Sequence, residues 1–451
     1  MTARTTTATV VAPPVETGDT KTGGTETPRP SFAEALRFWL KLGFISFGGP
    51  AGQIALMQTE LVDRRGWIDQ RRFLHGLNFC MLLPGPEAQQ LATYVGWRLH
   101  GIPGGLAAGL LFILPGALLL LGLSWLAAAH GDLAWVAALF DGVKPVVVAI
   151  VATALWRIGA RTLRGWPSLA LAAAAFLGIY ALGVPFPLIV LAAALTGAAA
   201  AALGHTPFTP FGADAGGDGP LPPETLPGSL RLLKLGGIFL LLWAVPVGAV
   251  LALAGTEPYA AIAALFTKAA FVTFGGAYAV LPYIAEAGVA HGWLTPGDML
   301  NGLALAESTP GPLILVTQYV GFFAGWSTPG GLPPVWAGVL GSALTLYVTF
   351  LPCFLFIFAG APYVETLIRN RLAAAALAAV TAAVVGVILN LAVFLGTHVL
   401  LPEPGRPDLF ALGLAAAGLL ALLRLNWQVH WLVLAGAAAG LARAAVTGGL
   451  S

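Results

Sequence analysis

The chain has 451 residues, of which 58% are hydrophobic and only 9% charged, with a net charge of +2 and a mean hydropathy of +0.84. Soluble domains carry about 25% charged residues, so this chain cannot cover itself with a hydrated surface, and its small net charge and lack of dense basic runs exclude nucleic acid as a partner. Its long Leu, Ala and Val runs do not alternate as barrel strands do, which leaves an all-α polytopic membrane protein, because lipid satisfies no free backbone group.

Residues 1–30 are rich in Thr, Pro, Gly and charge and have no apolar run. They read as a disordered cytoplasmic tail, since a cleavable signal needs an apolar core of ~7–15 residues. The first apolar helix, about 32–47, carries Lys41 and runs into Phe47-Gly48-Gly49-Pro50, after which helix resumes to about 63. A loop with Arg64, Arg65, Arg71 and Arg72 comes next. The second helix, about 70–83, stops at Pro84-Gly85-Pro86 and resumes to about 99. Half-helices of ~15 residues reach only ~22 Å at 1.5 Å per residue, so each pair reads as a re-entrant hairpin or a broken span. Glycine permits the reversal and proline pre-sets the first helical turn. Farther on, Asp141 and Lys144 share a helix face and read as a structural pair. Cys80 and Cys353 lie in apolar segments and read as inert core residues rather than a disulfide.

A polar stretch, about 204–230, then leads to an apolar segment, about 235–254, that has no counterpart earlier in the chain. Beyond it, the second half of the chain repeats the first. Lys41 through Gly49 reappears as Lys268 through Gly276, Gly66-Trp67 as Gly292-Trp293, Gly76-Leu77 as Gly302-Leu303, and Pro84-Gly85-Pro86 as Pro310-Gly311-Pro312. Tyr94-Val95-Gly96 returns as Tyr319-Val320-Gly321, and Leu114-Pro115 as Leu351-Pro352 after a Gly- and Pro-rich insertion around 325–334. The expected domains are a tail (1–30), a first repeat (31–204), a polar linker with a linking span (205–256) and a second repeat (257–446). One extra span between copies that each cross an even number of times inverts the second. Cytoplasmic loops carry excess Lys and Arg. The first Gly-Trp loop is basic, whereas its counterpart, about 286–300, holds Glu286, His291 and Asp298 and neither Lys nor Arg. Arg157, Arg161, Arg164, Arg369 and Arg371 thread to the side of the basic loop. Inverted repeats are the usual architecture of secondary transporters, with the substrate at their interface.

Each break leaves the N–H groups of the resuming half-helix unpaired, and with the helix dipole these suit an anion. Four breaks in a repeated pattern point to a site for a small, highly charged ligand, although glycine and proline also serve as kinks and packing points in membrane helices. Lys41 and Lys268 recur at one repeat position; they either serve the substrate pathway or snorkel to the headgroups. Gln53, Glu87, Gln89, Gln90, Thr93 and Tyr94 in the first copy, and Ser308, Thr309, Thr317, Gln318 and Tyr319 in the second, are either ligands for oxyanion oxygens or interhelical hydrogen bonds. Glu87 and Glu307 are not symmetric, aligning with Leu313 and Met81; each either carries protons or supports a turn.

Phe47-Gly48-Gly49-Pro50 with Gln53, Pro84-Gly85-Pro86-Glu87-Ala88-Gln89-Gln90 and Tyr94-Val95-Gly96 resemble the chromate ion transporter (CHR) family in its long, two-domain form. The second-half motifs, Phe274-Gly275-Gly276 and Glu307-Ser308-Thr309-Pro310-Gly311-Pro312, resemble that family's C-terminal domain. The resemblance spans about 32–446; one departure from internal symmetry is Ala277 in place of Pro50. It implies efflux of chromate across the inner membrane, with sulfate as a chemical analogue, driven by the electrochemical gradient. The partners so implied are a tetrahedral oxyanion and the bilayer, with a homodimer an open arrangement and no cofactor. An oxyanion channel or a sulfate-type carrier is the alternative. A membrane enzyme is disfavoured, because the chain has no His-x-x-x-His pair, no phosphate-binding Gly-x-x-x-x-Gly-Lys and no dense acidic cluster.

Overall fold

The structure, a computed structural model, describes residues 30–47, 49–205, 208, 229–364, 370–402 and 406–448. The expected tail, Gly48, Arg369 and most of the polar linker lie outside the described residues.

The helices start and stop where local chemistry requires. α1 (Phe32–Ile45) is capped by Ser31, whose hydroxyl accepts the Glu34 amide at 3.2 Å. Past the glycine turn, α2 (Gly49–Gln58) continues into a π-helical turn, Thr59–Arg64. α3 (Gln70–Leu82) begins at Asp69, whose carboxylate accepts the Arg72 amide at 2.9 Å. Such caps satisfy amides that have no partner within the helix. α4 (Glu87–His130) restarts after Pro84-Gly85-Pro86 and is broken again at His100 and Gly101, where φ is +64°. α5 (Ala134–Thr162), α6 (Trp166–Tyr180) and α7 (Phe186–Ala202) complete the first copy. α8 (Ser229–Ala254) is the linking helix expected from the unpaired apolar segment.

The second copy has the same plan. α9 (Tyr259–Val272) ends at the second glycine turn, and a 3-10 turn, Ala277–Ala279, leads into α10 (Leu281–Ala290). α11 (Pro296–Ser308) starts from a capping box of Thr295 and Asp298. Asp69 and Thr295 therefore cap equivalent helices. A 3-10 turn, Leu313–Leu315, opens α12 (Val316–Ser327), and α13 (Pro334–Gly360) comes after the Gly- and Pro-rich insertion; together these two stand for α4. α14 (Arg371–Leu400), α15 (Leu409–Leu423) and α16 (Val429–Thr447) match α5, α6 and α7. Among the described residues six helices are long and apolar enough to cross a bilayer, namely α4, α5, α8, α13 (reckoned to Tyr363), α14 and α16, and the chain is a multi-pass membrane protein.

The copies are exchanged rather than laid side by side. α5 packs against α15 and α16 of the second copy, and its equivalent α14 packs against α6 and α7 of the first. Gly440 of α16 lies against the Ala138 carbonyl and the Gly142 backbone of α5, whereas Gly197 of α7 lies against the Ala375 carbonyl and Ala379 of α14, the equivalent positions. Missing Cβ atoms allow helices to approach backbone to backbone. Equivalent contacts therefore recur with the partners swapped between the two copies. Cys80 and Cys353 are buried free thiols, and Lys144 reaches Asp141 at 2.8 Å, both in line with the sequence reading.

Candidate functional site: the cavity between the copies

Two cross-copy hydrogen bonds bring the turns together. The Gly311 amide donates to the Ser46 carbonyl at 2.9 Å, and the Gly85 amide donates to the Thr273 carbonyl at 2.7 Å. Ser46 and Thr273 hold equivalent places at the ends of α1 and α9. Their hydroxyls donate back to Leu42 at 2.6 Å and to Ala269 at 2.5 Å, which satisfies last-turn carbonyls and leaves their own free to accept. Gly85 and Gly311 have φ of +123° and +101°, a region open to glycine at little cost. Gln53 buttresses one junction, its Nε2 donating to the Gly311 carbonyl at 2.6 Å and the Ser46 carbonyl at 3.1 Å.

A cavity of about 510 Å³ lies where the turns converge. All four helix restarts reach it: Gly49 and Pro50 opening α2, Glu87 opening α4, Gly275 to Ala277 preceding α10, and Leu313 preceding α12. α5 adds Thr153, Arg157 and Arg161, and α14 adds Thr381. Arg157 and Arg161 line the cavity yet are exposed, so it opens at the C-terminal end of α5. Arg157 also donates to the Leu422 carbonyl of α15 at 3.1 Å.

Of the residues singled out from sequence, Gly49, Pro50, Glu87, Gly275, Gly276 and Glu307 line this cavity. Others build its frame. Pro84, Gly85, Pro86, Pro310, Gly311 and Pro312 form the turns, but the amides of Gly85 and Gly311 go to the partner copy and not to the cavity. Gln90 donates to the Pro84 carbonyl at 2.7 Å, and Gln318 to the Ala117 carbonyl at 2.8 Å. Ser308 and Thr309 donate to the Leu305 and Ala306 carbonyls at 3.0 and 3.1 Å. Tyr94 and Tyr319 are buried against Gly76 and Gly302, where a Cβ would strike each ring. Lys41 and Lys268 do not line the cavity. Both are exposed on outer faces, because Ala35, Phe38, Trp39 and Leu42 set the buried face of α1, and Ile262, Phe266, Ala269 and Ala270 that of α9. Arg157 and Arg161, read from sequence only as topology markers, line the cavity instead. The missed signal was a polar stripe at four-residue spacing, Thr153, Arg157 and Arg161, on an apolar helix.

The cavity wall is symmetric in backbone and asymmetric in charge. Tyr278 donates its hydroxyl to the Glu307 carboxylate, where the first copy has Ala51 and Met81. Glu87 and its counterpart Leu313 both line the cavity. Unit charges ~4 Å apart interact by ~4 kcal/mol at an effective dielectric constant of ~20, so an anion entering here is attracted by the arginines and repelled by each ionised carboxylate. Helix starts in general carry amides without an intrahelical partner and a positive dipole end, both of which favour an anion. Among the described residues no three His, Cys, Asp or Glu side chains cluster to hold a metal.

Residues 33–198 and 260–441 match the family described as chromate transporter, so each matched stretch coincides with one structural copy. The chain is 32% identical over 375 residues to the chromate transport protein of Pseudomonas aeruginosa, covering 80% of both chains. It is 28% identical over 407 residues to a probable chromate transport protein of Synechococcus elongatus, covering 89% of this chain and 91% of that one. Identity to the chromate transport protein of Cupriavidus metallidurans is 27% over 426 residues, or 93% and 95% of the two chains. No solved structure matches the chain.

Proposed function

The chain belongs to the chromate transporter family, and from that premise we propose that it is a carrier exporting chromate across the plasma membrane through the cavity between its copies. The observation that carries this reading is that all four restarts, two from each copy, line one cavity with Arg157 and Arg161 at its mouth. A tetrahedral dianion suits such a place: short amide-bearing helix starts surround it, and guanidinium groups pair well with oxyanion edges. In this reading the copies are inverted, with the basic segment 64–72 and the arginine mouth cytoplasmic and the segment 286–300 outside. The swapped packing of α5 and α14 and the single linking helix α8 support that arrangement. Outward movement of a dianion from a negative interior is favourable by ~2.3 kcal/mol per charge per 100 mV. Sulfate has the same shape and charge and is the natural competitor. Uptake of labelled chromate into inverted vesicles tests the reading: saturable uptake with counterflow supports a carrier, and unsaturable flux without exchange would favour a channel.

A further inference from the structure

The asymmetric acids suggest how the cavity accommodates its ligand. Two arginines already face two carboxylates before any dianion enters, so the empty cavity has no surplus positive charge from its side chains. Glu307 is engaged by Tyr278. Glu87 makes no hydrogen bond and no ion pair among the described residues, although its side chain faces the cavity. Nor does the turn need it, since the second copy builds the same Pro-Gly-Pro turn with Leu313 in that place. A bare carboxylate in the first turn of α4 competes with an anion for the same amides and dipole. The same group holding a proton becomes a donor to an anion oxygen.

We propose that the cavity takes its oxyanion together with one proton, held in a hydrogen bond between the Glu87 carboxyl group and an anion oxygen. The inference rests on reading the cavity as the oxyanion site. The proton comes from the solution as the anion binds and returns to solution as it leaves; the one covalent bond formed and broken is O–H. Each turnover then moves the anion with a proton and carries one charge fewer than the dianion alone. The ligands favoured are oxyanions whose conjugate acids are weak, chromate being one, because sharing a proton is easier for them. The titratable and charged groups around Glu87 are Glu307 and Tyr278 across the cavity, Arg157 and Arg161 on α5, Cys80 on α3 and Cys353 against the Gly85 turn. Of the two carboxyl groups lining the cavity among the described residues, Glu307 has Tyr278 as its partner and Glu87 has none.

The test is chromate uptake by the full-length protein in vesicles between about pH 8 and about pH 9, where nearly all chromate in solution is the dianion and its own protonation adds no slope. One proton taken up per anion makes the apparent affinity fall about tenfold per pH unit. Glu87→Gln is expected to flatten that slope, and Glu307→Gln to retain it. A flat wild-type slope would overturn the proposal, and so would a slope that survives Glu87→Gln in a transporting protein or is lost in Glu307→Gln instead. If Glu87→Gln does not reach the membrane, the wild-type slope decides, together with proton uptake on adding chromate to purified protein in weak buffer: one proton per anion supports the proposal and none overturns it. A wild-type protein that moves no chromate at any pH would instead remove the functional reading beneath it.

Discussion

Gly311 donates its amide to the carbonyl of Ser46 at 2.9 Å, tying the proline turn of the second copy to the glycine turn of the first. Gly85 and Thr273 make the reciprocal bond at 2.7 Å. The frame around the cavity therefore belongs to neither copy alone.

Gln53 is the side chain on which the first of these junctions depends. It is fully buried and donates to both the Gly311 and Ser46 carbonyls. Gln53→Leu leaves those carbonyls without this donor, at an expected cost of ~1–3 kcal/mol, and should lower thermal stability in detergent together with transport. Gly85→Ala and Gly311→Ala should be similarly damaging, because a side chain at these positive φ values is strained by ~1–3 kcal/mol. Gly236→Ala and Gly248→Ala meet nothing within 4 Å and should melt as the wild type does. Equal stability of all these variants would show that the junctions do not hold the copies together.

Arg157 and Arg161 should act on chromate affinity. Replacing either with Gln is expected to raise the KM for chromate by tenfold or more, that is by ~1.4 kcal/mol or more. Lys should restore part of the Arg157 effect by charge but not the planar fork. Arg157 also joins α5 to α15 through Leu422, so melting temperature must be measured beside KM. A change in stability with unaltered KM would assign Arg157 a purely structural role.

Lys41→Gln and Lys268→Gln should transport chromate nearly as well as wild type. The repeat suggested a pathway role, but both side chains sit on outer faces away from the cavity. Loss of transport in properly inserted Gln variants would place the pathway along those faces.

These outcomes divide along what a sequence can express. The helix breaks, the linking helix α8 and the duplication were legible, because glycine and proline act on the backbone beside them and an apolar run declares its own span. The membrane class came from composition alone. Which face of α1 turns inward depends on packing by distant segments, so the recurrence of Lys41 as Lys268 revealed a shared environment without revealing its nature. The exchange of α5 and α14 between copies was likewise hidden, since Gly440 meets Gly142 only in three dimensions. The use of the Gly85 and Gly311 amides as cross-copy bonds was hidden for the same reason.

The inverted arrangement is tested by labelling. Asp69 and Asp298 serve as caps, so exposed neighbours are better sites. In a background without Cys80 and Cys353, Gln70→Cys should react with an impermeant thiol reagent from the cytoplasmic side and His291→Cys from the outside. Reaction of both from one side would exclude inverted copies.

The most direct test is the position of the ligand itself. Crystals grown with chromate should show a chromium anomalous peak inside the cavity, among Gly49, Gly275, Glu87 and Arg157. A peak elsewhere, such as beside Lys41 or Lys268, with the cavity empty would contradict the assignment of the oxyanion to the junction of the four helix restarts.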